Sequence, residues 1–422
     1  MAVGAYAGVQ KHTELYIEMR ILHVITSLRT GGAEHLLVDL LPRLRRRGHE
    51  VELLLFDGTR TPFYTQLEQE GIPIHALSET PGAMHNPLLV FALHRFIKSY
   101  QIVHAHNTPC QLLLAAASYG TRCRLVTTEH NTHNRRRGKW YWRQIDRWMY
   151  RRYSTIVCCS EETEKALRTS LGDRQGPKTR TVTISNGIDT HRFATATATD
   201  RAGLFAGEGK EAAASTLVMM VAAFRPQKYQ EILIQAMSLL PPTFRLALVG
   251  DGVRRKECGQ VAEQLNVADR VAFLGIRSDI PELLKTADIL ALATHHEGLS
   301  LSSLEGMASG RPFVGSDVEG VRDTLQEAGI LVENTPKAFA AAIRQLASDH
   351  ALYNKVVAAC QRRASEYDIG KTVEGYEREY QEKKKRYNNE EIQQSDFMDR
   401  GSRGLPVDGT ALQRSAQATL GE

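Results

Sequence analysis

The chain has 422 residues, 42% of them hydrophobic, with 53 Lys+Arg against 48 Asp+Glu for a net charge of +5. That length exceeds one ordinary core and predicts two globular domains. No apolar run approaches the roughly 20 residues needed to cross a bilayer, and the six cysteines make neither a Cys-x-x-Cys pair nor a metal-ligand spacing with histidine, which argues against a membrane-spanning chain, a disulfide scaffold or a zinc module and for a reducing compartment.

Residues 1–18 lack the basic start and apolar core of a signal peptide and read as a poorly ordered leader. Order is expected from Met19. Arg20–Thr26 (RILHVIT) reads as a strand, SLRTGG as a loop, and Ala33–Arg47 as a helix with Leu36, Leu37, Leu40, Leu41 and Leu44 on one face. Gly31 and Gly32 have no side chains to keep a diphosphate or sugar from their backbone, although such a pair before a helix is also an ordinary turn. Further strands are expected at 50–56, 101–105, 125–128 and 155–159 with helices between them, which predicts a doubly wound parallel sheet. Groups that act in such sheets gather beyond the carboxyl ends of strands. His104, His106 and His130 stand there, either as packing residues or as contacts to a sugar.

Charge is uneven along the chain. Residues 1–190 hold 25 Lys+Arg against 17 Asp+Glu, so the first half should favour an anionic partner. The excess concentrates in HNRRRGKWYWRQIDRWMYRR, which brings Arg135, Arg136, Arg137 and Lys139 next to Trp140. Tyr141, Ile145, Trp148 and Met149 fall at helical spacing, so the segment reads as an amphipathic helix docked on the sheet or as a surface for an anionic membrane or a phosphorylated lipid-linked acceptor. No recognition motif supports nucleic acid.

The Asn-Gly of SNGIDTHRF signals a turn, and the Ala, Thr and Gly-rich stretch after it places a domain boundary near Thr195, giving domains at 19–194 and 195–365. The second domain repeats the alternation, with a strand at 217–222, a helix at 230–239, a strand at 246–249 and another at 270–275. Neither Gly-Gly nor the GDG after the third of these completes G-x-G-x-x-G, which counts against a dinucleotide redox enzyme. Lys228, in the loop after the first strand, is placed to neutralise a diphosphate. A charged helix is expected at 366–387, with Tyr376 and Tyr380 as anchors, and the polar stretch 388–422 reads as a disordered tail.

One stretch organises the second domain: EGLSLSSLEGMASGRP, residues 297–312. The strand before it is short and apolar, Gly298 lets the chain turn, and a helix is expected from Leu301 to Ser309 with Gly310 and Pro312 as stop signals. The free N–H groups at the helix start, behind the small Ser300, Leu301, Ser302 sequence and next to Gly298 and Leu299, make a seat for phosphate. Glu305 is suited to the ribose hydroxyls and Glu297 to the sugar beyond the diphosphate. Ser302 and Glu305 also have the spacing of a capping box.

The EGLSLSSLE segment resembles the paired-glutamate signature of retaining glycosyltransferases with the GT-B fold, and the chain from about Arg20 to Arg386 resembles glycosyltransferase family 4 (glycosyl transferase group 1). The resemblance implies an α/β fold of two Rossmann-like domains facing across a cleft, the first for the acceptor and the second for the nucleotide sugar, with the helix at 366–387 crossing back to the first. It matches Gly31 and Gly32 to the loop across from the nucleotide and His130 to the motif histidine near the donor sugar, and it rests the base near Gly275, Ile276 and Arg277. His106 is a second candidate on the acceptor side. The arginine that family members carry five residues before the lysine is Ala223 here, and Arg225 is the candidate substitute. The activity implied is retaining transfer from a nucleotide sugar, with UDP as the default base, to a glycan or lipid-linked glycan of a bacterial surface polysaccharide. Such an enzyme would be cytoplasmic or peripheral at the inner membrane face. No Asp-x-Asp pair occurs, so neither a metal nor a cofactor is expected. A sugar-nucleotide epimerase or hydrolase of the same fold, or a non-catalytic scaffold at the membrane, remain the rival readings.

Overall fold

The structure, a computed structural model, describes residues 18–29, 31–79, 86, 88–130, 140–171, 179–205 and 213–381. The expectations for residues 1–17, for Arg135, Arg136, Arg137 and Lys139, and for residues 382–422 lie outside these. By contact, Met1–Tyr376 is one compact unit and Glu377–Glu422 a second.

Two parallel sheets form the frame of the first unit. The first has the order β3-β2-β1-β4-β5-β6-β7, with β1 (Arg20–Ile25), β2 (Glu50–Leu55), β3 (Ile74–Ala76), β4 (Ile102–His106), β5 (Arg124–Glu129), β6 (Thr155–Cys158) and β7 (Arg180–Thr183). The second has the order β10-β9-β8-β11-β12-β13, with β8 (Thr216–Val221), β9 (Phe244–Val249), β10 (Val271–Gly275), β11 (Ile289–Leu292), β12 (Phe313–Ser316) and β13 (Ile330–Val332). Strands covered by helices on both faces must be apolar almost throughout, and β4, β9 and β11 are buried at every position. One core packs around Met219, Leu246, Leu290 and Val314 of the second sheet, and another around Val24, Val103, Leu125 and Ile156 of the first.

In each sheet the strand order reverses once, between β1 and β4 and between β8 and β11. At such a point the connections leave to opposite faces, and a crevice opens beyond the carboxyl ends of the two central strands. Glu297 follows β11 at one of these reversals, and His130 follows β5, one strand beyond β4 at the other.

The chain passes between the sheets twice, and the two passages are bonded to each other. Ile188 N–H donates to the Tyr367 carbonyl at 2.9 Å, and Ile369 N–H donates back to Ile188 at 2.8 Å. Thr372 Oγ1 donates to the Ser185 carbonyl at 2.9 Å. A side chain at Gly187 would sit 2.8 Å from Ile369 Cα and 2.6 Å from Thr372 Oγ1. The Asn-Gly of the sequence is therefore there for close approach of two backbones; Gly187 is not among the positive-φ residues. Farther on, Tyr376 is fully buried, its hydroxyl 3.0 Å from Thr128 Oγ1 of β5.

One helix presents a different face from the one its sequence suggests. In Trp140–Tyr150 the buried residues are Asp146, Met149 and Tyr150, while Tyr141 and Trp148 are exposed. Tyr150 donates its hydroxyl to Glu129 Oε1 at 2.6 Å, which rotates the helix toward the polar end of β5, and the Trp148 indole donates outward to Tyr119 at 3.0 Å. No helix among the described residues is long and apolar enough to cross a membrane.

Candidate active site

At the reversal of the second sheet, two loops are stitched together. The loop after β8 runs beside the end of β11, with Tyr229 N–H donating to Ala293 and His295 N–H to Gln227, at 2.9 and 2.8 Å. This carries Lys228 to Glu297, and the two side chains form a direct ion pair that leaves each little exposed. Thr294 Oγ1 donates to the same Glu297 oxygen at 2.9 Å. Thr294 is itself fixed, its N–H donating to Ser316 and its carbonyl accepting from Asn334. The pair stands just ahead of the Leu301–Ala308 helix, which begins where the sequence predicts.

Ser300 is the N-cap of that helix; its Oγ accepts from Ser303 N–H at 3.4 Å. The capping-box alternative for Glu305 therefore falls away, because the cap is already filled by a different serine. Glu297 is held from beneath by Gly320, at the start of the Glu319–Leu325 helix. A Cβ there would lie 2.2 Å from the Glu297 carbonyl oxygen and 2.3 Å from that of Gly298.

The two glutamates do not share a partner. Glu305 is buried with its carboxylate 3.9 Å from His35 Nε2 on the Gly32–Arg46 helix of the first sheet. Burial raises its pKa above the ordinary carboxylate value, with His35 pulling down and Asp39 pushing up. Sequence reading missed His35 and Asp39, whose i, i+4 spacing was taken up by the leucine face of the same helix. Gly32 lies on this side too, its Cβ direction 3.9 Å from Leu301. Above Gly31 the space is not open, since the Glu34 carboxylate occupies it 2.3 Å from where a Cβ would be. The Glu34 side chain must swing aside before a diphosphate can approach Gly31.

The remaining donor-side residues lie around this core. Arg225 is exposed, and its carbonyl accepts from Lys228 N–H at 2.9 Å. Gly275 has a left-handed φ of 67° and accepts from Gly250 N–H at 2.8 Å, leaving Ile276 exposed and Arg277 tied to Asp279.

At the reversal of the first sheet stands a group of histidines. His23 on β1 is in register with His104 on β4, and His106 lies two residues on, on the same face. His23 Nδ1 is 3.0 Å from His106 Nε2, and His106 Nδ1 is 3.1 Å from His130 Nε2. His104 Nε2 is 2.8 Å from Thr128 Oγ1. His106 is wholly buried between His23 and His130, so it has no surface for an acceptor and stands behind His130 instead. His23 was not singled out in the sequence, where it reads as one polar residue inside an apolar strand. Burial holds all four imidazoles below their ordinary pKa: His23 at about 3, His130 at about 4, His104 and His106 well below 6.5. Trp140 is exposed and apart from this group, on the outer helix.

Residues 30–192 match the family Glycosyltransferase Family 4, and residues 215–349 match Glycosyl transferases group 1. The crystal structure of Anabaena HepE in complex with UDP is similar with a TM-score of 0.72 and 25% identity, covering 85% of this chain and 98% of that one. The chain is a glycosyltransferase of the GT-B type. Among its sequence relatives, this glycosyltransferase is 28% identical to EpsD of Bacillus subtilis (strain 168) over 348 residues, 78% of the chain and 88% of the relative. It is 25% identical to the Escherichia coli UDP-Gal:alpha-D-GlcNAc-diphosphoundecaprenol alpha-1,3-galactosyltransferase over 358 residues, 79% of the chain and 89% of the relative.

Two outcomes follow for the enzyme. Gly320→Ala should push the 297–298 backbone out of place and lower turnover by roughly 100-fold, the cost of an ångström-scale misplacement, with circular dichroism unchanged; near-normal turnover would mean that the loop tolerates the shift. The second concerns acid. Below pH 6.5 the unfolded chain protonates these four histidines while the folded protein does not, so stability is complete above about pH 7 and falls as pH drops from 6.5 toward 4. Each histidine that takes up a proton only on unfolding steepens that slope. Urea denaturation at successive pH values should give a shallower slope for His104→Gln than for the wild type, and equal slopes would contradict the assignment.

Proposed function

We propose that this glycosyltransferase moves a sugar from a UDP-sugar to a glycan or lipid-linked glycan acceptor, with retention of anomeric configuration and without a metal. The observation that carries the reading is the Lys228–Glu297 pair, stitched to Thr294 at a sheet reversal immediately before a helix N-terminus. An ammonium and free N–H groups meet there, fixed in advance, where a diphosphate gathers charge as it departs. UDP is favoured because the similar HepE structure holds UDP and a second one holds UDP-glucose. The E. coli relative is named for a diphosphoundecaprenol-linked acceptor, which supports the lipid-linked class.

In this reading the donor lies on the second domain, 195–365, with its base at Gly275, Ile276 and Arg277 and its ribose at Glu305. The diphosphate sits over Gly298, Leu299, Ser300, Leu301 and Ser302, with Gly32 opposite and Gly31 beyond it under Glu34. The acceptor comes from the first domain, 19–194, to which the chain returns at Tyr376, buried against Thr128 of β5. Lys228 leaves Glu297 for the diphosphate when the donor arrives, and Arg225 adds positive charge in place of the arginine absent at Ala223. Glu297 is thereby freed to orient the sugar, with His130 on the other side. The acceptor oxygen bonds to the anomeric carbon on the face that the phosphate leaves, and the departing phosphate oxygen takes the acceptor proton. Glu297 forms no covalent bond. The sequence has no Asp-x-Asp pair, so Lys228 and the helix start supply the positive potential.

Glu297→Gln should lower turnover at least 100-fold while UDP affinity stays within a few-fold, since the amide keeps the shape but not the charge that steadies the sugar. Initial rates and calorimetry with UDP measure the two separately. Turnover near the wild-type value would remove Glu297 from the mechanism. Labelled donor that releases free sugar at the same rate with and without acceptor would favour a hydrolase.

We place the enzyme in the cytoplasm, peripheral at the inner membrane face. Trp140, Tyr141 and Trp148 are exposed together on the helix that follows Arg135, Arg136, Arg137 and Lys139 in sequence, and interfacial aromatics beside basic residues suit an anionic bilayer. In flotation with vesicles containing anionic lipid, the wild type should rise with the vesicles, and neutralising Arg135, Arg136 and Arg137 should leave most of it at the bottom. Equal flotation of the two would rule out this surface.

A further inference from the structure

Behind His130 the structure holds an arrangement that the transfer reaction does not by itself require. His23, His106 and His130 form a continuous row, ring nitrogen to ring nitrogen, at 3.0 and 3.1 Å. Three buried histidines with nitrogens within 4.8 Å of one another, His23, His104 and His106, first suggest a metal site. Ring geometry opposes it. A metal lies in the plane of each imidazole that binds it, but His23 and His106 meet edge to edge, nearly coplanar at 17° with centroids 5.2 Å apart and Nδ1 3.0 Å from Nε2, so these two nitrogens point at each other as in an N–H···N hydrogen bond and not at a shared third point, while His104 lies face to face with His106 at 4.3 Å. The nitrogen contacts in the row are of hydrogen-bond length.

A neutral imidazole has one N–H and one bare nitrogen. Burial keeps these three neutral, so in each contact one ring donates and the other accepts, and the choice made at one end passes through the row. If His23 Nδ1 donates to His106 Nε2, then His106 Nδ1 donates to His130 Nε2, and His130 Nδ1 carries the proton. If the sense reverses, His130 Nδ1 is bare. The two patterns cannot mix without leaving two protons or two lone pairs facing each other inside the protein. His130 Nδ1 is the outer end of the row, and it is buried with no hydrogen-bond partner.

We propose that His23 and His106 are positioning residues that lock His130 in a single tautomer, so that its Nδ1 meets a sugar hydroxyl of the bound donor in one fixed role. The contact with the sugar rests on the function proposed above; the locked tautomer does not. His104 lies against the row, stacked on His106 and bonded to Thr128, which keeps the His106 ring from turning.

The test is nitrogen-15 NMR of the full chain labelled at histidine, without donor. In the wild type, His130 should give one protonated-type and one bare-type nitrogen signal, with the same end-to-end sense at His106 and His23. His23→Phe keeps an aromatic ring in the stack but removes the inner end of the row, and His130 should then show averaged signals from two tautomers. His23→Asn, whose amide can reach the place of Nδ1, should restore resolved signals. In transfer assays the phenylalanine variant should lose about tenfold in kcat with KM for the donor changed less, as for an interaction that matters mainly in the transition state.

Averaged signals at His130 in the wild type would overturn the proposal, and so would resolved signals unchanged in His23→Phe. Should His23→Phe fail to fold, the wild-type spectrum alone still decides. Stoichiometric uptake of Zn2+ or Co2+ that shifts His23, His104 and His106 together would replace the row with a metal site. A locked tautomer with no change of kcat in a folded His23→Phe would leave the row intact and sink the sugar contact at His130.

Discussion

Parallel strands need crossovers, and the crossovers decide where a protein of this kind can put chemistry. In both sheets the chain winds outward from a central strand in one direction and then returns to wind in the other, so two neighbouring strands, β1 and β4 or β8 and β11, send their connections to opposite faces. Nothing covers the ends of those two strands from within the sheet. His23, His106 and the loop carrying Gly32 belong to the first opening, and Lys228, Thr294 and Glu297 to the second. The site is a consequence of strand order, and the residues at it are those that strand order leaves uncovered.

The two openings solve the same electrostatic problem in opposite ways. Around β8 and β11 charge is present and matched: an ammonium and a carboxylate, both largely shielded from water, neutralise each other. Taking one charge away from such a pair leaves the other poorly solvated, so the pair stays closed until something anionic competes for the lysine. Around β1 and β4 the histidine row itself carries no charge. The imidazoles there are too deeply buried to protonate near neutrality, and they act only through the direction of their hydrogen bonds. A sugar diphosphate placed between them would meet a strong field at its phosphate end and a neutral, directional surface at its sugar end. That division suits a donor whose charge is all at one end.

The elements that position this site were legible in the sequence because their signal is local. Short runs of buried Val, Ile and Leu mark β1, β4, β8 and β11, and the turn from Gly298 and the stop at Gly310 bound the Leu301–Ala308 helix to within a residue. The parts that escaped have weak or nonlocal signals. β3 is three residues at a sheet edge and only half-buried, and the His350–Ser365 helix buries just Val356, Cys360 and Ala364, a stripe too narrow to stand out. For Trp140–Tyr150 the sequence left a docked apolar face and an outward aromatic surface both open; of the stripe only Met149 is buried, because the helix turns to deliver Tyr150 to the buried Glu129. Among site residues, Lys228 and Glu297 were readable one at a time, but their pairing across 69 positions was not. His35 beside Glu305 and His23 beside His106 were invisible for the same reason, since each contact joins elements that only the folded chain brings together.

Glycine use separates two kinds of constraint that look alike in a sequence. Gly187 belongs to an Asn-Gly turn signal, and Gly320 stands in the first turn of the Glu319–Leu325 helix. Neither has a left-handed backbone. Each is glycine because another backbone passes where its side chain would be: Ile369 against Gly187, and the carbonyls of Glu297 and Gly298 against Gly320. The first contact brings together the two passages of chain between the sheets, which are bonded to one another at Ile188, Tyr367 and Ile369. Any movement of one sheet domain against the other that keeps those bonds must turn about that crossing. The second contact seats the loop carrying Glu297 on the body of the second domain, through the Glu319–Leu325 helix. The loop therefore travels with its own sheet, and the Lys228–Glu297 pair keeps its geometry while its distance to the histidine row is free to change. That is the mechanical arrangement a two-domain transferase needs to admit a donor at one reversal and an acceptor at the other.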